Sequence, residues 1–168
     1  MAAAAAASPR GPRADVRVVD FDGSPQHTAA FQTINAEWIS ELFTLEPHDV
    51  AVLADPPALV RAGGSIFVAV EGATVLGVCA LLAPAAAGEG LELAKMGVRA
   101  SARGRGVGRA LGEAAVAAAR ARGAPRVDIL SNRGLTAALA LYASLGFVER
   151  PLPATDYARA DIYLELVL

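Results

Sequence analysis

Arg103-Gly104-Arg105-Gly106-Val107-Gly108 is the stretch on which the reading of this chain turns. It follows an apolar, strand-like run ending at Val98 and precedes a helical pattern that starts near Gly106. Glycines at alternate positions let the main chain come very close to a ligand, because no Cβ blocks the approach. A helix starting here turns its unpaired N–H groups, and the positive end of its dipole, toward the same loop. With Arg103, Arg105 and Arg109 alongside, the segment has the chemistry of an anion site, and a pyrophosphate suits it best.

Two better-known nucleotide loops do not fit. A Walker loop needs Lys-Ser or Lys-Thr after its last glycine, and Arg109-Ala110 stands there instead. A dinucleotide fingerprint is Gly-x-Gly-x-x-Gly after the first strand, whereas the spacing here is Gly-x-Gly-x-Gly after the fourth. A plain strand-to-helix turn would account for one glycine, not for three flanked by arginines.

Outward from the loop, alternation and punctuation divide the chain. Residues 16–21 read as a first strand, and Ser24-Pro25 offers a helix cap followed by a proline suited to the first turn. Phe31, Ile34, Trp38 and Leu42 then recur at helical spacing, with Asn35 and Glu41 beside them; Trp38 is expected in the core. Short helices are expected over 47–53 and from the Asp55-Pro56 cap to Gly63-Gly64. Residues 65–71 and 74–83 form a predicted hairpin, and a flexible loop over 84–90 leads to a fourth strand, 91–98. The helix after the glycine loop carries Val107, Leu111, Ala115, Ala118 and Ala119 on one face and stops at Gly123-Ala124-Pro125. A fifth strand (126–130), a helix (135–145) and strands over 147–150 and 161–167 complete the order. Such an order predicts an α/β domain, a mixed sheet with helices on both faces.

Composition narrows the function classes. At 168 residues the chain suits one domain, and a formal charge of −2 with a pI near 5.7 gives no basic surplus for nucleic acid. The longest apolar stretch, 75–87, is broken by Gly77 and Pro84 and is too short for a bilayer, so no membrane partner is expected. The lone Cys79 excludes an internal disulfide, and His27 and His48 are too far apart for a paired metal motif. The expectation is a cytoplasmic protein without a metal. Residues 1–14, a poly-alanine run followed by Pro and Arg, read as a disordered tail, with a transit peptide as the alternative; residues 15–168 form the single domain.

The hexapeptide resembles the Gln/Arg-x-x-Gly-x-Gly/Ala signature of the GNAT superfamily of N-acetyltransferases. Met96-Gly97-Val98 resembles the strand before that signature. Asn132, Leu139-Ala140-Leu141-Tyr142 and Leu145-Gly146-Phe147 resemble the family's later Asn, helix and Tyr-x-x-x-Gly-Phe block. The likeness runs over about 16–168. It implies acetyl-CoA as donor and a mostly antiparallel GNAT-like sheet splayed between strands 4 and 5. Met96, Gly97 and Val98 would face the pantetheine arm, and main-chain amides of Arg103, Gly104, Arg105, Gly106, Val107, Gly108 and Arg109 the pyrophosphate. Because those donors are backbone, the Arg105 and Val107 side chains could vary without loss of the site. Asn132 would contact the pantetheine or position the following loop; a cap or turn role is the alternative.

Acetyl transfer to an amine requires a base for the amine, donors for the developing oxyanion and a proton for the thiolate. Tyr142 matches the family's general-acid tyrosine, although its helical face also suits a core tyrosine. Glu92 is the candidate base, its position similar to that of the base glutamate in histone-acetylating members. Strict alternation puts Glu92, Ala94 and Met96 on one face and Leu93 and Lys95 on the other. The Met96 or Gly97 amide is the natural oxyanion donor. Acids Glu37, Glu41, Glu46, Asp49 and Asp156, with Tyr157, would line an acceptor mouth suited to a cationic amine, or form solvated faces. The implied enzyme moves acetyl from acetyl-CoA to a small-molecule or peptide amine by direct attack in a ternary complex, and a homodimer is compatible with it. A non-catalytic acyl-CoA-binding sensor of the same fold is the alternative, and a longer acyl donor or a protein N-terminus as acceptor stays open.

Overall fold

Proline-containing helix starts and alternating strands organise the chain as anticipated. The computed structural model describes residues 15–84, 86 and 88–168. The expected N-terminal tail, and Ala85 and Ala87 of the expected flexible loop, lie outside the described residues. In chain order the elements are β1 (Arg17–Asp20), α1 (Pro25–Leu42), α2 (Pro47–Ala54), α3 (Pro56–Arg61), β2 (Ser65–Glu71), β3 (Thr74–Leu82), β4 (Leu91–Val98), α4 (Val107–Ala121), β5 (Arg126–Ser131), α5 (Thr136–Ser144), β6 (Val148–Arg150) and β7 (Ile162–Val167). Ser24 caps α1 by accepting from the His27 amide at 3.2 Å. Asp55 caps α3 in the same way, accepting from the Ala58 amide at 3.1 Å. No helix among the described residues is long and apolar enough to cross a membrane.

The strands form one sheet in the order β1-β2-β3-β4-β5-β7-β6. Every neighbouring pair is antiparallel except β4 and β5. That parallel pair is short: Leu91 lies opposite Val127 and Glu92 opposite Asp128, and there the pairing ends. Beyond Glu92 the two strands part, which opens the sheet and leaves the later half of β4 without a partner on that side.

Both faces of the sheet are covered. On one, Phe31 and Ile34 of α1 pack against Val68, Val78 and Ala80. On the other, Val107, Leu111, Ala115 and Ala119 of α4 pack against Cys79, Leu81, Leu93 and Val127. Full burial of a side chain such as Leu111 contributes about 1.5–3 kcal/mol, so the α4 stripe fixes the helix, and therefore its N-terminus, against the opening.

Irregularity in β4 corrects the expected alternation. Ala94 pairs with Ala80 and Gly97 with Val78, so three steps along β4 match two along β3. The extra residue is a β-bulge. Lys95 sits in it at φ +51°, in the left-handed region where a residue other than glycine is rare. Past the bulge the parity reverses. Met96 packs with the α4-side core, beside Leu93, while Lys95 turns toward α2. Strict period-2 reading put these two residues on the opposite faces.

Candidate active site

A cleft of about 600 Å³ runs through the split between β4 and β5. Its wall includes residues from Glu92 to Val98 of β4, the glycine loop, Asn132, Tyr142, Trp38, Tyr157 and Arg159. The residues expected to carry catalysis and to bind the donor therefore line one cavity, except that Arg105 points away: its guanidinium pairs with Glu71. Of the acids expected at the acceptor mouth, Glu41 lines the cavity, Glu46 and Asp49 lie behind its wall, and Glu37 and Asp156 are exposed side chains outside it.

At one end the chain builds a main-chain donor cradle. After a short 3-10 turn over Ala100–Ala102, Gly104 and Gly106 adopt φ of +74° and +83°, and Gly106 caps α4. A side chain at Gly106 would strain this left-handed turn. The first amide of the helix to find a carbonyl is Ala110, bonded to Gly106 O at 3.0 Å. The amides of residues 104–109 find no acceptor among the described residues. No acidic side chain stands in the first turn of α4 to compete for them. Unpaired donors at a helix N-terminus bind anions by geometry and dipole together. Gly108 is explained differently. A Cβ there would lie 3.3 Å from Leu141 Cδ2, so its smallness lets α4 and α5 approach.

The arginines of the loop are engaged with neighbours. Arg103 pairs with Glu41 at 3.2 Å, and Arg109 donates to Ser144 Oγ at 2.8 Å. Asn132 is likewise occupied: Nδ2 donates to Arg159 O at 2.8 Å, and Oδ1 accepts from the Gly134 amide at 2.8 Å. Its visible work is to tie the turn after β5 to the segment before β7.

Tyr142 of α5 is buried, its ring 6.0 Å from that of Phe147. No protein group bonds its hydroxyl, yet no buried side-chain polar atom among the described residues lacks a partner; the hydroxyl therefore opens onto the cleft. Burial, with Cys79 nearby, pushes this phenol above its ordinary pKa, so it stays protonated and able to donate.

Glu92 lines the cleft with no hydrogen-bond partner among the described residues. Burial raises its carboxyl above the ordinary value; Lys95 opposes that shift and Asp128 adds to it. A desolvated, unpaired carboxylate of raised pKa has the properties of a general base.

The far end of the cleft is a side-chain network. Asp49, at 0% exposure, accepts from Lys95 Nζ at 2.7 Å and from Arg159 Nη2 at 2.8 Å, and it also bonds Arg159 Nη1 and the Tyr157 hydroxyl. Burial alone would raise the Asp49 carboxyl, but these bonds outweigh it and hold it well below the usual range. Glu46 accepts from the amides of Ala158 and Arg159 at 3.0 and 3.1 Å. The Arg159 guanidinium lies 4.6 Å from the Tyr157 ring and 5.9 Å from that of Trp38.

Two expectations change here. Trp38 is only half-buried and walls the cleft instead of filling the core. Its indole donates to the buried Asn35 Oδ1 at 3.0 Å and sits so close to Gly97 that a Cβ there would fall 2.7 Å from Trp38 Cδ1. The mouth is also less acidic than the acids of α1 and α2 suggested. Asp49 and Glu46 face Lys95 and Arg159, and Glu41 faces Arg103, which leaves Glu92 as the unpaired carboxylate of the cleft wall. Lys95 and Arg159 were missed in the sequence. A lysine in the middle of an apolar strand was the available signal.

Comparison with known proteins agrees with this geometry. The acetyltransferase (GNAT) domain family matches residues 62–149, more than half of the chain. An acetyltransferase of the GNAT family from Staphylococcus aureus shares the fold at a TM-score of 0.76 and 13% identity, over 90% of this chain and 98% of that one. A GCN5-related N-acetyltransferase from Kribbella flavida does so at 0.73 and 23%, over 91% and 98%. The yncA protein of Salmonella typhimurium, solved with its cofactor acetyl-CoA, does so at 0.69 and 18%, over 90% and 93%. No curated protein matches the chain in sequence. With its family pattern, its splayed sheet and its cradle of free amides, this chain belongs to the GNAT family of acetyltransferases.

Proposed function

We propose that the protein is an N-acetyltransferase that passes acetyl from acetyl-CoA to a primary amine by direct attack in a ternary complex. The observation that carries this reading is the continuity of the cleft. It joins the free amides at the start of α4 to the unpaired Glu92 carboxylate, with Tyr142 on the same wall.

The residues present suit the donor. The amides at the start of α4 would hold a pyrophosphate, and the unpaired edge of β4 around Met96 and Val98 would hold an extended amide-bearing arm. When bound, acetyl-CoA supplies a thioester carbonyl as the electrophile. Glu92, directly or through one water, takes the proton that the attacking amine must lose. The Met96 or Gly97 amide faces the negative charge that develops on the carbonyl oxygen. Tyr142 donates to the departing sulfur, and its raised pKa keeps the phenol protonated for that role.

A non-catalytic acyl-CoA sensor would need neither the unpaired Glu92 nor the open Tyr142 hydroxyl, so these two groups favour the enzyme. The test is release of free thiol from acetyl-CoA across amino acids, polyamines, aminoglycosides and peptide N-termini. The proposal expects saturable, amine-dependent release with intersecting double-reciprocal lines. Tight acetyl-CoA binding with no amine-dependent release by any of them would support the sensor instead.

A further inference from the structure

We propose, resting on the acetyltransferase reading, that Lys95 is a positioning residue that pins the β4 bulge against α2 and the segment before β7, holding the bulge backbone toward the thioester. Among the described residues Lys95 is the one non-glycine residue with positive φ. Such a conformation persists only where surrounding structure over-determines it. Here Lys95 is 6% exposed, and its ammonium is bonded to the buried Asp49 Oδ1 at 2.7 Å and to the Tyr157 hydroxyl at 2.5 Å. Arg159 closes the same cluster from the other side through Asp49 and Tyr157.

The consequence falls on the backbone. Lys95 and Met96 have no register partner in β3, and β5 has already diverged, so this stretch is held by its side chains rather than by a ladder. Releasing Lys95 would let the bulge relax and move the Met96 and Gly97 amides. The charged and titratable groups that face Lys95 are Asp49 and His48 of α2, Glu92 of its own strand, and Tyr157 and Arg159 of the segment before β7. Asp128 of β5 faces Glu92. Lys95 thus also supplies positive charge near the candidate base, favouring its carboxylate form.

The test compares Lys95→Met with the double variant Lys95→Met/Asp49→Asn, which removes the buried charge that the single change leaves short of a partner. Both variants should lose about 10- to 100-fold in kcat while the KM for acetyl-CoA changes by less than about tenfold, because the amides at the start of α4 are untouched and only the β4 part of the donor contact shifts. The acid limb of kcat/KM should move to higher pH. A wild-type kcat in either variant, or a loss that disappears in the double variant as its thermal stability recovers, overturns the proposal. Glu92→Gln is measured alongside. If the acid limb vanishes there, Glu92 is the base, and an unmoved limb in Lys95→Met overturns the proposal. If the limb persists there, the base assignment fails on its own, and a kcat loss larger than the KM change in the double variant decides for Lys95.

Discussion

The two ends of the cleft are built by opposite means. The donor end, residues 103–109, is contiguous chain that offers main-chain amides, and its arginines are turned to carboxylates and a serine nearby. The other end, which we propose receives the acceptor, is made of side chains from three distant segments, Glu46 and Asp49 of α2, Lys95 of β4, and Tyr157 and Arg159 before β7. Backbone donors bind any pyrophosphate in the same way, so that end needs only the right turn. Side-chain donors hold one arrangement, so that end depends on the identity of each residue that builds it.

If the acceptor end is held by buried charge, breaking it should have the largest effect. Asp49→Ala leaves Lys95 and Arg159 facing each other without their shared acceptor, at a cost of about 3–5 kcal/mol, which corresponds to a fall in Tm on the order of 10 °C. The pH dependence follows. Asp49 is held below its unfolded value of about 3.9, so its contribution is present above that pH and is lost as pH falls below it. Acid unfolding followed by circular dichroism should therefore show a steeper loss below about pH 4 in the wild type than in Asp49→Asn. Equal slopes would show that the network adds nothing to stability.

Tyr142 lines the cleft as well. Its change to Phe keeps the ring packed on Phe147 and removes only the hydroxyl. Turnover should fall about 10- to 1000-fold with acetyl-CoA affinity nearly intact; an unchanged rate removes it as the acid.

The smallest effect has the opposite sign. Glu92 has a folded pKa above its unfolded one, so the neutral carboxyl is favoured and a penalty appears as pH rises past the ordinary glutamate range. Glu92→Gln should raise Tm by a few degrees at pH 7, show no gain near pH 4, and lower activity. A lower Tm at pH 7 would mean that the carboxylate is stabilised in the fold rather than held ready for a proton.

The same contrast explains what the sequence disclosed. Strand and helix positions were legible because proline caps, glycine stops and apolar periods are local signals; β4 was placed at its observed ends. The glycine loop was legible because its chemistry is contiguous. The acceptor end was not. One extra residue at Lys95 reverses the side-chain parity of β4, and period-2 reasoning carries no signal for a bulge. Arg159 was not singled out, because its partner, Asp49, lies 110 residues earlier. Trp38 was assigned to the core from its helical stripe, which cannot tell a helix face against the sheet from one against the opening.

The most direct test of the division between backbone and side-chain ends is a calorimetric titration of acetyl-CoA into Gly106→Val and Arg105→Ala. Valine cannot adopt the left-handed turn that aims the amides, whereas Arg105 only pairs with Glu71. The account predicts no measurable binding in Gly106→Val and an affinity within about threefold of wild type in Arg105→Ala, since a solvent-exposed ion pair contributes about 0–1 kcal/mol. Binding retained by Gly106→Val, or lost with the Arg105 side chain, would contradict a main-chain cradle at the donor end.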